Sequence, residues 1–421
     1  MDNLFWVDLS RNKFKTFREF TDDLKNSTIL RKYVYLNDPY EILLNIVLAA
    51  FHGKEIELLD WDYSENDLLS MGISLDNVTN EVIDLQMTNN IDNINELLNT
   101  IENNAVNFGL ALYTSGTTGK PKKVHHSFNN LTRGVKKGIR FENDVWAFAY
   151  NPTHIAGLQV FFQAFFNQNT MIYIFDNSNE GRSAVQDSLM NYQVTKISAT
   201  PTFYRNILTY LNKEIPSVNT ITSGGERYDP SLDQYLLKYF PNARIKNIYA
   251  STEAGSLLTS NGDFFIIAET LKEKIKISSD NELLIHRSLL GDSNDITLSS
   301  DWYNSGDRVE LVEHNKFKFV SRNSDFVNIG GYRVNPLEIE ELLLKLDCIS
   351  DILVYGRNNK ITGNVLAADI VKSNNNIDDK DIQKKVREYL EDKVQYWKIP
   401  RLFRFVEFID QTRTGKKVRK K

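Results

Sequence analysis

Cysteine is almost missing from this chain: Cys348 stands alone among 421 residues. A single cysteine excludes an internal disulfide and any metal site built from cysteine ligands, and it suits a reducing compartment. Because it follows an amphipathic stretch, Cys348 reads as core. Long apolar runs are missing too. The run ILLNIVLAAF at 42–51 is too short and too interrupted to span a bilayer. The N-terminus, MDNLFWVDLSRNKFK, has charges on both sides of a short apolar patch where a signal peptide needs an unbroken one. Nor is there an excess of positive charge. The formal charge is −5 and the pI near 5.8, and the one basic cluster is confined to residues 416–421, so nothing suggests nucleic-acid binding. No internal repeat or low-complexity tract is found. What remains, 41% hydrophobic and 25% charged residues, is the composition of a soluble globular protein with room for two or three domains, expected in the cytoplasm.

What is present is an alternation. Short β-branched or aromatic runs (MIYIF at 171–175, TKISA at 195–199, NTITSG at 219–224, RIKNIYA at 244–250) are separated by helix-length stretches. This predicts a largely parallel α/β sheet with helices on its faces, whose ligand-binding loops follow the carboxyl ends of the strands. SGGE at 223–226 and STEAG at 251–255 fall at that rim. From about 263 the pattern turns strand-rich (FFII, KIKIS, ELLIH, KFKFV), predicting a small β subdomain. After 321 it changes again. In NPLEIEELLLKL, Asn335 is expected to cap a helix, Pro336 to open it and Glu338 to complete a capping box, with Ile339, Leu342, Leu343 and Leu346 on one face. Two strands, DILVYG and NVLAADIV, and a second amphipathic helix near 379–394 complete a compact α+β unit. The expected division is an N-terminal domain of residues 1–321 and a C-terminal one of 322–421, with a hinge near 322–325.

The stretch YTSGTTGKPKK at 113–123 crowds hydroxyls, glycines and lysines into eleven positions, a mixture suited to a polyphosphate. It is not a Walker-type loop, which needs glycine where Thr114 stands and Ser or Thr where Pro121 stands. On its own it also reads as a solvated surface linker. Its companions decide. NPTHIAGL at 151–158, SGGE, YASTE at 249–253, WYNSGDRV at 302–309, SRNSDFVNIGGYRVNPLEIE at 321–340 and TRTGKKVRK at 412–420 follow in order. Together these seven segments, spanning nearly the whole chain, resemble the adenylate-forming superfamily of acyl- and aryl-CoA ligases, peptide-synthetase adenylation domains and luciferases. The likeness is closest to CoA ligases of the succinylbenzoate type.

The resemblance implies a large N-terminal α/β domain with a small β subdomain and a small mobile α+β lid. It implies ATP, Mg²⁺ and a small carboxylic acid as reactants, joined as an acyl-adenylate with release of pyrophosphate. The acyl group then passes to a thiol, either CoA or the phosphopantetheine of an acyl carrier protein, or else to an amine. By the same resemblance Thr114, Ser115, Gly116, Thr117, Thr118, Gly119 and Lys122 would hold the phosphates. Gly224, Gly225, Glu226, Tyr249, Ala250 and Ser251 would border the nucleotide, with Tyr249 lying on adenine. Thr252 would meet the α-phosphate, and Glu253 would face Mg²⁺. Asp307 and Arg322 would reach the ribose, and Gly331 and Arg333 would line the pantetheine path. Lys416 would bridge the carboxylate and the α-phosphate, and His154 would gate the acyl channel. Taken singly, several have plainer readings: Tyr249 as strand-end packing, Lys416 as a basic tail, His154 as a core histidine. His125 and His126 read as packing or surface residues.

Three departures stand out. Ser324 occupies the hinge, where many relatives carry an acid, and serine can absorb the required backbone rotation. The segment before the phosphate loop is short for this family, so the N-terminal subdomain is expected to be trimmed, with a narrower acyl pocket or an altered homodimer surface as the expected result. None of Tyr150, Asn151, Pro152 and Thr153 is acidic, which argues against an α-amino acid substrate. A non-catalytic nucleotide-binding module is the competing class, and it would have no use for Lys416.

Overall fold

The computed structural model describes the chain apart from residues 1–2, 86–90, 92, 115–120, 177, 229, 295, 314, 323–325, 330–331, 360–362, 375, 412–416 and 419–421. Among the described residues, eight strands form one sheet in the order Gly255–Ser260, Arg244–Ser251, Thr220–Gly224, Lys196–Ala199, Val145–Phe148, Thr170–Tyr173, Leu4–Asp8, Lys13–Thr16. The six inner strands are parallel, and the two edge strands run antiparallel to their neighbours. Parallel strands covered on both faces need apolar residues on both, and the two-residue period distributes them. Trp6, Phe148 and Met171 enter one core, while their chain neighbours Val7, Ala147 and Ile172 enter the other.

A second sheet combines Tyr33–Leu36, Glu55–Asp60, Gly109–Thr114 and Lys122–Ser127, the first three parallel and the last antiparallel. Both sheets share a core that includes the helices Pro39–Phe51 and Ile155–Phe165. The first of these contains the 42–51 run, whose apolar character is explained by burial on nearly all sides rather than by a membrane. Asp38 caps it by accepting from the Tyr40 N–H, with Pro39 at its first position, where no N–H is needed.

Strands Phe265–Ile266, Ile275–Ile277, Glu282–His286, Leu298–Ser299, Trp302–Glu313 and Lys316–Arg322 form the antiparallel sheet expected of the β subdomain. Beyond it, strands Ile349–Asn359, Gly363–Lys372 and Leu402–Phe405 pack with helices Pro336–Leu343 and Asp379–Glu391 around their own core, where Cys348 is buried. The α/β class therefore stands, with a smaller α+β unit at the C-terminal end.

One local expectation fails. Asn335 caps Leu337 and Pro336 opens the helix, but the capping box does not form, because Glu338 turns to the Lys398 ammonium at 3.2 Å. The helix ends at Leu343, so Leu346 lies past its last turn.

Candidate active site

The site lies along the carboxyl rim of the eight-stranded sheet. Strand Thr220–Gly224 approaches Arg244–Ser251 so closely at its end that a Cβ on Gly224 would stand 2.9 Å from the Ile248 carbonyl oxygen. Gly225 then takes φ +81°, a left-handed turn that glycine adopts without strain. These two residues aim Glu226 at the helix Pro201–Leu208. There Oε2 accepts the Thr202 N–H and Oε1 the Thr202 hydroxyl, each at 2.9 Å. Oε1 also accepts the backbone N–H of Lys417 at 3.1 Å. Glu226, expected beside the nucleotide, thus joins the C-terminal segment to the rim.

Next along the rim is the turn after Ser251, and its three consecutive carbonyls are all tied down. His126 Nε2 lies 2.8 Å from the Thr252 oxygen, the Gly291 N–H donates to Glu253 at 2.7 Å, and Arg133 donates to Ala254 at 2.5 Å. Burial pushes the His126 imidazole down to about 4, against the upward pull of the Thr252 carbonyl. Near neutral pH it is an uncharged ring, and since a carbonyl only accepts, Nε2 carries the proton. With its backbone fixed, the turn leaves the Glu253 carboxylate, which makes no hydrogen bond or ion pair among the described residues, on the wall of a cavity of about 910 Å³. Lys122 lines the same cavity, so a basic and an acidic residue border one space.

Among the described residues no group of three or more His, Cys, Asp or Glu is arranged to hold a metal. Mg²⁺ is commonly held by one or two carboxylates, with phosphates and water completing its shell. A single cavity-facing Glu253 fits that pattern.

The Tyr249 hydroxyl donates to Asp307 Oδ2 at 2.6 Å, and its ring stacks on Phe319 at 4.3 Å and 17°. A base stacked on Tyr249 would use the other face. Asp307 and Arg322 are Cα partners across the strand pair, so the two residues expected at the ribose stand opposite one another. Ala250 and Ser251 end the Tyr249 strand, and the Ser251 hydroxyl accepts the Ala254 N–H.

His154 precedes the helix Ile155–Phe165, with Nε2 3.9 Å from Asp60 Oδ2, an electrostatic contact rather than a hydrogen bond. Asp60 Oδ1 accepts the Asn151 amide at 3.1 Å and the Thr153 hydroxyl. Behind it, burial holds the Tyr150 hydroxyl well above its ordinary range, so it stays protonated.

The rim therefore gathers Gly224, Gly225, Glu226, Tyr249, Thr252, Glu253 and Asp307. Ser115, Gly116, Thr117, Thr118, Gly119, Gly331 and Lys416 lie outside the described residues. Thr114, Arg322 and Arg333 are placed by their strands alone; Thr114 pairs with Lys122 across the base of the phosphate-loop candidate. Lys417, next to Lys416, is described. Its ammonium binds Asp351 Oδ1 and the Ile352 carbonyl, each at 2.6 Å. Sequence reasoning missed Glu57, Asp60 and Arg133; His126, read as packing or surface, is buried against the Thr252 carbonyl. The available signal at Asp60 was a carboxylate closing the strand directly after Leu58 and Leu59.

Two family models match the chain, the AMP-binding enzyme over residues 76–277 and the AMP-binding enzyme C-terminal domain over 338–416, together more than half of its length. The chain belongs to the AMP-binding enzyme family. Among curated relatives of this AMP-binding enzyme, the 2-succinylbenzoate–CoA ligase of Staphylococcus aureus strain JH9 is 26% identical over 392 residues, covering 87% of this chain and 76% of that protein. Its counterpart in Bacillus subtilis strain 168 is 25% identical over 338 residues, covering 73% and 67%. The fold matches that of o-succinylbenzoate CoA synthetase (MenE) from Bacillus subtilis, solved with the acyl-adenylate OSB-AMP, at a TM-score of 0.70 and 19% identity over 99% of this chain and 94% of that one. MatB from Rhodopseudomonas palustris bound to ATP shares the fold at a TM-score of 0.70 and 16% identity, over 99% and 94%.

Proposed function

We propose that this AMP-binding enzyme activates a carboxylic acid with ATP, forming an acyl-adenylate and pyrophosphate, and then transfers the acyl group to the thiol of CoA. The observations that carry the reading are Lys122 and Glu253 lining one cavity, the pairing of Asp307 with Tyr249 on the strand that leads to Glu253, and the N–H of Lys417, next to Lys416, on Glu226. Joining a carboxylate to a triphosphate brings two anions together, so the site must supply cations and donors already in place. Lys122 supplies one cation, and Mg²⁺ held at Glu253 would neutralise further phosphate charge. Lys416 would arrive with the C-terminal unit, next to Lys417, whose N–H already meets Glu226. Thr252 would donate to the α-phosphate and Asp307 accept from the ribose hydroxyls. We place the domain boundary near 322–325 and the protein in the cytoplasm; no described helix is long and apolar enough to cross a membrane.

The relatives named above make 2-succinylbenzoate the first acid to test, followed by aryl, short-chain and medium-chain acids. Pyrophosphate release from ATP and Mg²⁺ is measured with each acid, with and without CoA, and products are identified by mass spectrometry. Acyl-AMP that becomes acyl-CoA on adding CoA is the expected result. Acyl-AMP that persists with CoA but is consumed by a phosphopantetheinylated carrier protein or an amine overturns the CoA assignment. Nucleotide binding with no pyrophosphate release from any acid overturns the enzymatic reading.

A further inference from the structure

We propose that the strand Glu55–Asp60 positions two substrate-facing loops at once, Glu57 fixing the base of the phosphate loop and Asp60 the turn that carries His154. The inference rests on the activity proposed above for what the loops do, and on this chain's own contacts for how they are held.

The strand lies inside its sheet, between Tyr33–Leu36 and Gly109–Thr114. Successive side chains of a strand point to opposite faces, so positions 57 and 60 serve different neighbours. Glu57 is 6% exposed. Its Oε2 accepts the Tyr113 hydroxyl at 2.6 Å and its Oε1 the Lys123 ammonium at 2.7 Å. Tyr113 and Lys123 are Cα partners, the first on the strand entering the 113–123 segment and the second on the strand leaving it. One carboxylate thereby fastens both sides of the hairpin base. Burial, reinforced by the bond to Glu57, holds the Tyr113 hydroxyl far above its ordinary range, so it remains a donor.

Asp60, 4% exposed, does the same on the opposite face. It collects the Asn151 and Thr153 side chains on Oδ1 and places Oδ2 toward His154. It also lies at the N-terminal end of the helix Ile155–Phe165, where His154 provides no side-chain cap and where negative charge is favoured. A buried carboxylate is costly unless its oxygens are occupied; those of Glu57 are occupied by the two neighbouring strands that flank the 113–123 segment, and Oδ1 of Asp60 by the turn before the helix Ile155–Phe165. Because both stand on one strand, the Tyr113–Lys123 pair at the base of the phosphate-loop candidate and the His154 turn are registered to each other.

The test uses the full-length protein. Glu57→Gln keeps the side-chain size but faces an amide NH₂ toward one of its two donors. Calorimetric Kd for ATP with Mg²⁺ is expected to rise roughly tenfold or more, because a buried donor is left unmatched. The KM for the acid should stay near the wild-type value. Tyr113→Phe removes the same hydrogen bond from the other side and is expected to weaken ATP binding in the same direction, with the Lys123 pair retained. Asp60→Ala should bind ATP as the wild type does and lose roughly 10–100-fold in acyl transfer to the thiol, the size of effect that misplacing a reacting group produces. Asp60→Asn, which retains an Oδ1 acceptor, should recover most of that loss. ATP affinity unchanged in both Glu57→Gln and Tyr113→Phe overturns the proposal. So does Asp60→Ala weakening ATP binding as much as Glu57→Gln, which would mean a general fold defect. If the wild type releases no pyrophosphate from any acid, the activity reading fails, and the ATP affinities still decide the role of Glu57.

Discussion

Two segments reach the same rim by opposite means. The Thr252–Ala254 turn is held by three donors, one to each carbonyl, all from parts of the chain that precede the C-terminal unit. The Lys417 segment is anchored within the C-terminal unit, through Asp351 and Ile352, and meets the rim through one N–H to Glu226. Nearby, Arg227 pairs with Glu341 at 2.7 Å across the same junction, with both side chains about a third exposed. Groups that must be in place before the substrate arrives are fixed by buried bonds that are expensive to break. On the reading proposed above, Lys416 comes and goes beside a segment that is rigid within its own unit and touches the other through contacts that are cheap to break.

The contrast is tested most severely at Lys417→Met. Lys417 and Asp351 are 7% and 8% exposed, and removing one partner of a buried pair strands the other charge at a cost of about 3–5 kcal/mol. The C-terminal unit should melt early in calorimetry while the N-terminal core keeps its own transition; one undivided shift of the whole protein would contradict the anchoring. Lys416→Ala comes next. It should lower pyrophosphate release by roughly 10²–10³-fold, the usual loss for a charge-stabilising group, with ATP affinity nearly unchanged. Full activity in that variant would refute the role assigned to Lys416.

His126→Phe should cost about 1–3 kcal/mol by leaving the Thr252 carbonyl unmatched, and should slow adenylation without altering the oligomeric state. The same ring sets a pH dependence. Its folded value of about 4 lies below the ordinary histidine value of 6.5, so protons bind the unfolded chain more readily. The resulting stability is complete above 6.5 and is lost as the pH falls from there through about 4. Melting temperatures measured across that window should decline in the wild type and decline less in His126→Phe. The smallest effect is expected at Arg227→Gln. An ion pair about a third exposed contributes at most about 1 kcal/mol, so stability should barely move, while the balance between the two half-reactions shifts slightly toward thioester formation. A tenfold change in adenylation would mean the junction is tighter than its geometry implies.

Much of the rim was legible in the sequence, because strand periodicity places SGGE and STEAG after parallel strands and the motif order supplies their neighbours. The parallel strands at 170–251 are legible from their short β-branched and aromatic runs separated by helix-length stretches. What was not legible is whatever depends on contacts between distant segments. Nothing near position 60 tells that Asp60 meets residues about ninety positions later. His126 reads as packing beside its lysines, and only its approach to Thr252 gives it a role. Glu338 has the right spacing for a capping box, yet a lysine sixty residues further along the chain draws it away. Local signals lost wherever a charged partner from another element was within reach.

The lone cysteine has a practical consequence. Cys348 is 6% exposed in the C-terminal core, so the native protein presents almost no reactive thiol. Consumption of CoA can therefore be followed with a thiol-reactive dye against a nearly silent enzyme. A single cysteine introduced at an exposed position, Tyr396 on the C-terminal unit for example, would be the main site taking a fluorophore. A label there would test whether that unit moves from one half-reaction to the next, with no background site to remove first.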